Sequence, residues 1–206
     1  VSELRAPESI LVRAATPRVA GRAGLDLSSA RKVLADEGMI ENDAVVDAES
    51  GGMRFEIDSM LVKLGRYLRC LGYDAEWDAE RSLATRIERA DAESRVFLTR
   101  NHNIGHQVPA PARMLLLASD DAVEQLWHVV RELRLDPYRH LFTRCIRCNV
   151  ALAEIEKSPA VAARVPAQTF ACYARFYTCP RCGTVFWKGS HVRNTCTKLG
   201  LRDASE

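Results

Sequence analysis

Two short hooks, Cys145-Ile-Arg-Cys148 and Cys179-Pro-Arg-Cys182, narrow most sharply what this chain can fold into. A Cys-x-x-Cys turn carries two sulfurs to one ion, and two such turns complete a tetrahedral four-cysteine set, the arrangement of structural zinc. Asn149 and Gly183, directly after the second cysteines, suit the tight turn of a metal knuckle. A closed four-cysteine site leaves no open position, so its predicted role is to hold a small module together; a redox dithiol is the alternative reading. The other thiols, Cys70, Cys172 and Cys196, read as buried or incidental. An odd total of 7 cysteines and no basic, apolar leader predict a reducing, cytoplasmic setting. The longest purely apolar run, Met114 to Ala118, is far short of the ~20 residues of a membrane span, so no membrane crossing is predicted.

Charge divides the chain. Residues 1–54 hold 7 Lys and Arg against 9 Asp and Glu, residues 55–138 hold 11 against 14, and residues 139–206 hold 11 against 4. A basic last third beside an acidic middle suits a polyanion gripped by one part and metal-dependent chemistry in the other, with a solvated basic surface as the plain alternative. Around the hooks, Arg144, Arg147, Arg175, Arg181, Lys188 and Arg193 alternate with Tyr173, Phe176, Tyr177, Phe186 and Trp187. That mixture fits phosphate pairing with base stacking, although Phe176 and Phe186 read first as the module's own small core.

Residues 1–53 lack Phe, Trp and Tyr and read as a weakly structured extension, with one short helix from Ser28 or Ser29 to Ala35 and a hinge at Gly51-Gly52. From 54 to 138 the pattern alternates. Phe55-Glu56-Ile57 reads as a strand ending at Asp58, and Met60, Leu61, Leu64, Tyr67, Leu68 and Leu71 share one helical face that Gly72 terminates. Ala75 to Trp77, Val96 to Thr99 and Met114 to Ala118 read as further strands. A helix spans Ser82 to Ala92, and Asp120 or Asp121 caps another that buries Val123, Leu126, Trp127, Val130 and Leu133. Such βαβ alternation predicts an α/β fold with a parallel sheet flanked by helices, and ligands bind at the carboxyl ends of its strands. Asp58, Asp78 and Asn101 each stand at or just beyond such an end, so they are expected on one rim. Residues 139–202 form the second module, a zinc ribbon.

The stretch from Phe55 through Asp58, Lys63, Arg66 and Gly72 to Asp74 resembles the opening of the Mut-seven C-terminal ribonuclease domain, a PIN-like family. Leu98-Thr99-Arg100, Glu124-Gln125-Leu126, Cys145-Ile-Arg-Cys148-Asn149, and Cys179 to Gly183 running on to Trp187-Lys188-Gly189-Ser190-His191 agree in order, over residues 54 to 200. The resemblance implies a PIN-like nuclease core, a C-terminal zinc ribbon and action on RNA, with carboxylates holding Mg or Mn. Asp58 matches the family's first carboxylate. The family reads Thr-Arg-Asp where this chain has Thr99-Arg100-Asn101, and it places an acid where this chain has Leu83-Ala84-Thr85-Arg86; Asp78, Glu80 and Glu88 are the candidate replacements.

The expectation is therefore a metal-dependent ribonuclease with Asp58, Asp78 and Asn101 as its catalytic set, Lys63, Arg66, Arg100, Lys188 and His191 on RNA, and Cys145, Cys148, Cys179 and Cys182 on structural zinc. Arg69 would extend the basic stripe of Lys63 and Arg66 if the spacing of three keeps them on one face. The alternative is a non-catalytic RNA-binding protein with a degenerate PIN-like site. A phosphatase or phosphotransfer receiver using Asp58 as nucleophile is a third class, disfavoured by Met60 where a haloacid-type phosphatase has a second Asp.

Overall fold

Short apolar runs separated by amphipathic helices leave one economical solution, a parallel sheet with helices on its two faces. A computed structural model describes residues 52–138 and 140–201. The helix expected between Ser28 and Ala35 lies outside these residues, as does all of the extension except Gly52 and Met53. Strands β1 (Arg54–Ile57), β2 (Asp74–Glu76), β3 (Val96–Thr99) and β4 (Met114–Leu116) form the sheet in the order β2-β1-β3-β4, every pair parallel. Phe55 sits opposite both Ala75 and Val96.

The crossovers are α1 (Val62–Cys70), entered through a 3-10 turn at Ser59–Leu61, α2 (Leu83–Ala92) and the short α3 (Ile104–Gln107); α4 (Ala122–Glu132) follows β4. Ser82 caps α2 by accepting from the Thr85 amide, and Asp121 caps α4 by accepting from the amides of Val123 and Glu124. Each cap is worth about 1 kcal/mol. Gly72 ends the first helix with φ +89°, and a Cβ there would lie 2.2 Å from the His140 carbonyl oxygen. Two expectations change. Met60 is 56% exposed, because it sits in the 3-10 turn, where the helical period that aligned it with Leu64 does not apply. The polar loop expected before β4 contains α3, which buries Ile104 against Ile87, Ala90 and Phe97.

Strand alternation sorts the sheet into two faces. Phe55, Ile57, Val96, Leu98 and Leu115 pack with Leu64 and Leu68 of α1 and with Leu126, Val129 and Val130 of α4. Phe97 turns the other way, onto Ile87 and Ala90 of α2. Truncating a side chain as enclosed as Leu64 or Leu68 to Ala costs about 2–5 kcal/mol.

The second module has an antiparallel sheet, β5 (Ala153–Ile155), β6 (Phe176–Thr178) and β7 (Val185–Phe186), with α5 (Pro159–Ala162) and α6 (Ala167–Cys172) between its first two strands. Its small core is Val161, Val165 and Phe176, with Ile155, Phe170, Tyr173, Val185 and Trp187 packed around them. Phe176, Tyr173 and Trp187 thus belong to packing, whereas Phe186 is half-buried and outside this cluster. The last helix, α7 (Ser190–Leu199), packs back on the parallel sheet. Its Val192, Cys196 and Leu199 join the core of the parallel sheet, and Trp127 donates to the Leu199 carbonyl at 2.9 Å. No helix of the described residues is long and apolar enough to cross a membrane.

Candidate active site and metal centre

The sulfurs of Cys145, Cys148, Cys179 and Cys182 all lie within 4.8 Å of one another, the separation for Cys145 and Cys182 being 4.0 Å. Four sulfurs about 2.3 Å from one tetrahedral ion are separated by nearly that much, so the set fits zinc. Each hook is a knuckle. The Asn149 amide donates to the Cys145 carbonyl at 2.9 Å and the Gly183 amide to that of Cys179 at 2.8 Å. Both turn residues have positive φ, +60° and +71°, which Asn and Gly tolerate best. Crowding makes the thiols share protons unevenly: Thr184 beside Cys182 holds that thiol down to about 6, while Cys182 pushes Cys148 up to about 12. A bound cation removes that conflict by taking all four as thiolates. Cys70 and Cys196 are buried in the main core and Cys172 is exposed; none joins the cluster.

The first knuckle is sewn to the edge of the parallel sheet. Asn149 Oδ1 accepts from the Ala75 amide at 3.1 Å, and its Nδ2 donates to Asp74 at 2.7 Å and Glu76 at 2.8 Å. These bonds cover the β2 edge, which would otherwise present unpaired backbone groups. Arg69 reaches the same knuckle from α1, donating to the carbonyls of Ala75, Ile146 and Arg147 at 2.7, 3.1 and 3.0 Å, with its guanidinium 3.5 Å from the centre of the Trp77 ring. Arg69 is 2% exposed, so it does not extend a stripe toward RNA. Three residues advance a helix by about 300°, and two such steps from Lys63 swing Arg69 roughly 120° away from it, onto the buried side.

Asp58 follows the last residue of β1, with its amide donating to the Leu98 carbonyl at 2.9 Å. By alternation it faces the α2 side of the sheet, as do Glu56 and Thr99. Thr99 Oγ1 donates to Asp58 Oδ2 at 2.6 Å, and Arg86 of α2 donates to Oδ1 at 3.1 Å. Two residues earlier on β1, Glu56 is held in a fork by Arg89 at 2.7–3.1 Å. Because α2 runs back antiparallel to β1, arginines three apart on the helix meet acids two apart on the strand. Glu56 has no exposed surface, and burial pushes its carboxyl up against the pull of Arg89.

The other predicted catalytic residues have separate partners. Asn101 donates its backbone amide to Thr99 Oγ1 at 2.9 Å, so a chain of two hydrogen bonds joins it to Asp58. Its side chain turns away, accepting from the Asn103 amide and donating to Gln107 to begin α3. Asp78 pairs with Arg81 at 2.8 Å and accepts from the Glu80 amide, which holds its carboxyl below the usual range. Arg100 pairs with Asp120 across the loops after β3 and β4. Lys63, Arg66, Lys188 and His191 are exposed, His191 lying edge-on to Trp187 with ring centres 5.5 Å apart.

A hard divalent ion takes about six oxygen ligands and is held by several carboxylates or by carboxylates with water. Among the described residues no group of three acidic, histidine or cysteine side chains surrounds Asp58, the four-cysteine set being the one such group. One Asp58 oxygen faces a guanidinium and the other a hydroxyl. As folded, these donors do not fit Mg²⁺ or Mn²⁺. The residues that the sequence did not single out, Arg86, Arg89 and the side chain of Asn149, are those whose partners lie far along the chain. One signal was present: an acid such as Glu56 within a strand covered on both faces must be buried and must find a cation.

No curated protein and no solved structure matches the chain. The family model described as the Mut7-C RNAse domain matches residues 53–199, which spans the parallel sheet, the four-cysteine centre and all of α7. The chain belongs to the Mut7-C RNase domain family.

Proposed function

We propose that this chain is a ribonuclease that hydrolyses RNA phosphodiester bonds at the carboxyl rim of the parallel sheet, with Asp58 at the reacting centre. The observation that carries this reading is a buried carboxylate, its side chain 6% exposed, directly after a central strand of a parallel sheet in a chain of an RNase family. Asp78 and Asn101, on the loops after β2 and β3, are its proposed companions. Thr99 orients the Asp58 carboxylate by its short hydrogen bond. Lys63, Arg66, Arg100, Lys188 and His191 are proposed to meet the phosphates, the first two from α1, Lys188 from the four-cysteine module and His191 from the start of α7. The family implies Mg or Mn as the ion of catalysis, an ion that the Asp58 site as folded does not fit, and a cytoplasmic compartment suits reduced thiolates at the zinc. A protein gripping RNA in this way loses affinity steeply as salt rises.

The test is cleavage of single-stranded RNA by the zinc-loaded chain with and without added Mn²⁺ or Mg²⁺. Omitting the ion is cleaner than adding a chelator, which would strip the four-cysteine centre too. Asp58→Asn is expected to abolish cleavage; unchanged cleavage would remove Asp58 from the reaction. The second reading, RNA binding without cleavage, is favoured by the Asp58–Arg86 pair and by the neutral Asn101. It predicts salt-sensitive RNA binding, with no cleavage by the wild type or by Asn101→Asp.

A further inference from the structure

We infer that Arg86 is the resident cation of the Asp58 site, standing where a divalent ion would have to bind and keeping such an ion off this carboxylate. The inference deepens the proposal that Asp58 is the reacting centre and rests on it. Arg86 and Asp58 lie 3.1 Å apart, with side chains 8% and 6% exposed, so the pair is shielded from the solvent that would weaken it at the surface. The neighbouring rung shows the same device where no reaction is proposed. Glu56 is buried without exposure and is neutralised by Arg89, one helical turn from Arg86. Helix α2 thus supplies one guanidinium for each acid that β1 buries beneath it.

Charge excludes an added ion. One carboxylate and one guanidinium leave the pocket neutral, and no group of three acidic, histidine or cysteine ligands including Asp58 exists among the described residues. A divalent ion entering beside Arg86 would leave two uncompensated positive charges out of water, which is strongly unfavourable. Arg86 is also held lightly by anything other than Asp58: its Nε is buried with no hydrogen-bond partner among the described residues. Replacing it frees Asp58 and breaks no other side-chain hydrogen bond among the described residues, while weakening the positive field on Glu56. The position reads Arg in a stretch, Leu83-Ala84-Thr85-Arg86, that contains no acid.

Mn²⁺ itself is the probe, titrated into the zinc-loaded full chain and counted by the loss of the free-ion paramagnetic resonance signal. In the wild type, Asp58→Asn is expected to change nothing, because no Mn²⁺ binds there at millimolar concentrations. Arg86→Gln is expected to gain Mn²⁺ binding that the wild type lacks, weak because Asp58 offers one carboxylate and water must fill the remaining positions, and Arg86→Gln/Asp58→Asn to lose it. A folded Arg86→Gln without that gain overturns the inference, and so does a wild-type site of equal strength that Asp58→Asn removes. If Arg86→Gln does not fold, the comparison of wild type with Asp58→Asn decides alone: Mn²⁺ binding sensitive to Asp58 refutes the inference, and binding indifferent to it supports the inference. RNA cleavage is scored separately. Wild type and Asp58→Asn cleaving alike would end the ribonuclease reading and leave the Mn²⁺ result standing.

Discussion

Replacing Asn149 tests whether the zinc knuckle and the parallel sheet are one mechanical unit. Asn149 is 4% exposed, and its side chain makes three hydrogen bonds across the seam, to the Ala75 amide and to the carboxylates of Asp74 and Glu76. Hydrogen bonds to charged groups contribute about 1.5–3 kcal/mol each and neutral ones about 1 kcal/mol. The sum is reduced because both carboxylates keep an arginine, Arg95 at 2.7 Å from Asp74 and Arg69 at 3.6 Å from Glu76. Asn149→Gly removes the side chain while accepting φ +60° freely, so it should cost about 3 kcal/mol. Asn149→Ala adds the left-handed backbone penalty and should cost roughly 1 kcal/mol more. For a chain of this size, 3 kcal/mol lowers Tm by about 6–12 °C. The assay is urea and thermal unfolding followed by circular dichroism, with zinc content confirmed at one per chain. Asn149→Gly within about 0.5 kcal/mol of wild type would refute the seam argument, and Asn149→Ala no weaker than Asn149→Gly would refute the backbone part.

Other perturbations probe the same frame. Gly72→Ala places a Cβ 2.2 Å from the His140 carbonyl oxygen at a positive φ, so it should destabilise by more than about 2 kcal/mol in urea unfolding; a near-neutral effect would show that this turn yields freely. Stripping zinc should speed hydrogen exchange of the Ala75 amide by about tenfold or more, because its acceptor Asn149 loses its anchor, while exchange at the Asp58 amide changes less; equal protection with and without zinc refutes the coupling. Burial pushes the Asp74 carboxyl up, but hydrogen bonds from Arg95 and Asn149 outweigh it and hold the carboxyl below its usual 3.8. Its ionised form therefore contributes stability that is full above about pH 3.8 and is lost as pH falls through the depressed value. The stability gap between wild type and Asp74→Asn should narrow over that acid range, and a gap independent of pH there would contradict the assignment. Lys63→Glu/Arg66→Glu should flatten the salt dependence of RNA binding; an unchanged slope would remove α1 from the RNA surface.

Local pattern was enough for most of the frame. The periods of Leu64, Leu68 and Leu126 on helices, the apolar strands Phe55 to Ile57 and Val96 to Thr99, and the caps Ser82 and Asp121 are decided within a few residues of each position, by backbone geometry and burial. The four clustered cysteines were equally legible, since two hooks of fixed spacing suit one tetrahedral ion. Reading polar side chains at strand ends put Asp58, Asp78 and Asn101 on one expected rim, but it did not say where the Asn101 side chain points. That depended on the turn into α3, which the sequence hid inside a polar loop.

What the tertiary structure alone decided is which charge neutralises which. Arg86, Arg89 and Arg69 look like ordinary solvated helix residues until the crossover lays α2 over β1 and the knuckle closes on α1. Ion pairing acts at about 3 Å between groups tens of residues apart, so its partners follow from strand order and helix rotation rather than from any local rule. The amino-acid sequence therefore determined a sheet, a four-cysteine cluster that fits zinc and a rim bearing Asp58. The packing of α2 determined that this carboxylate already has a cation.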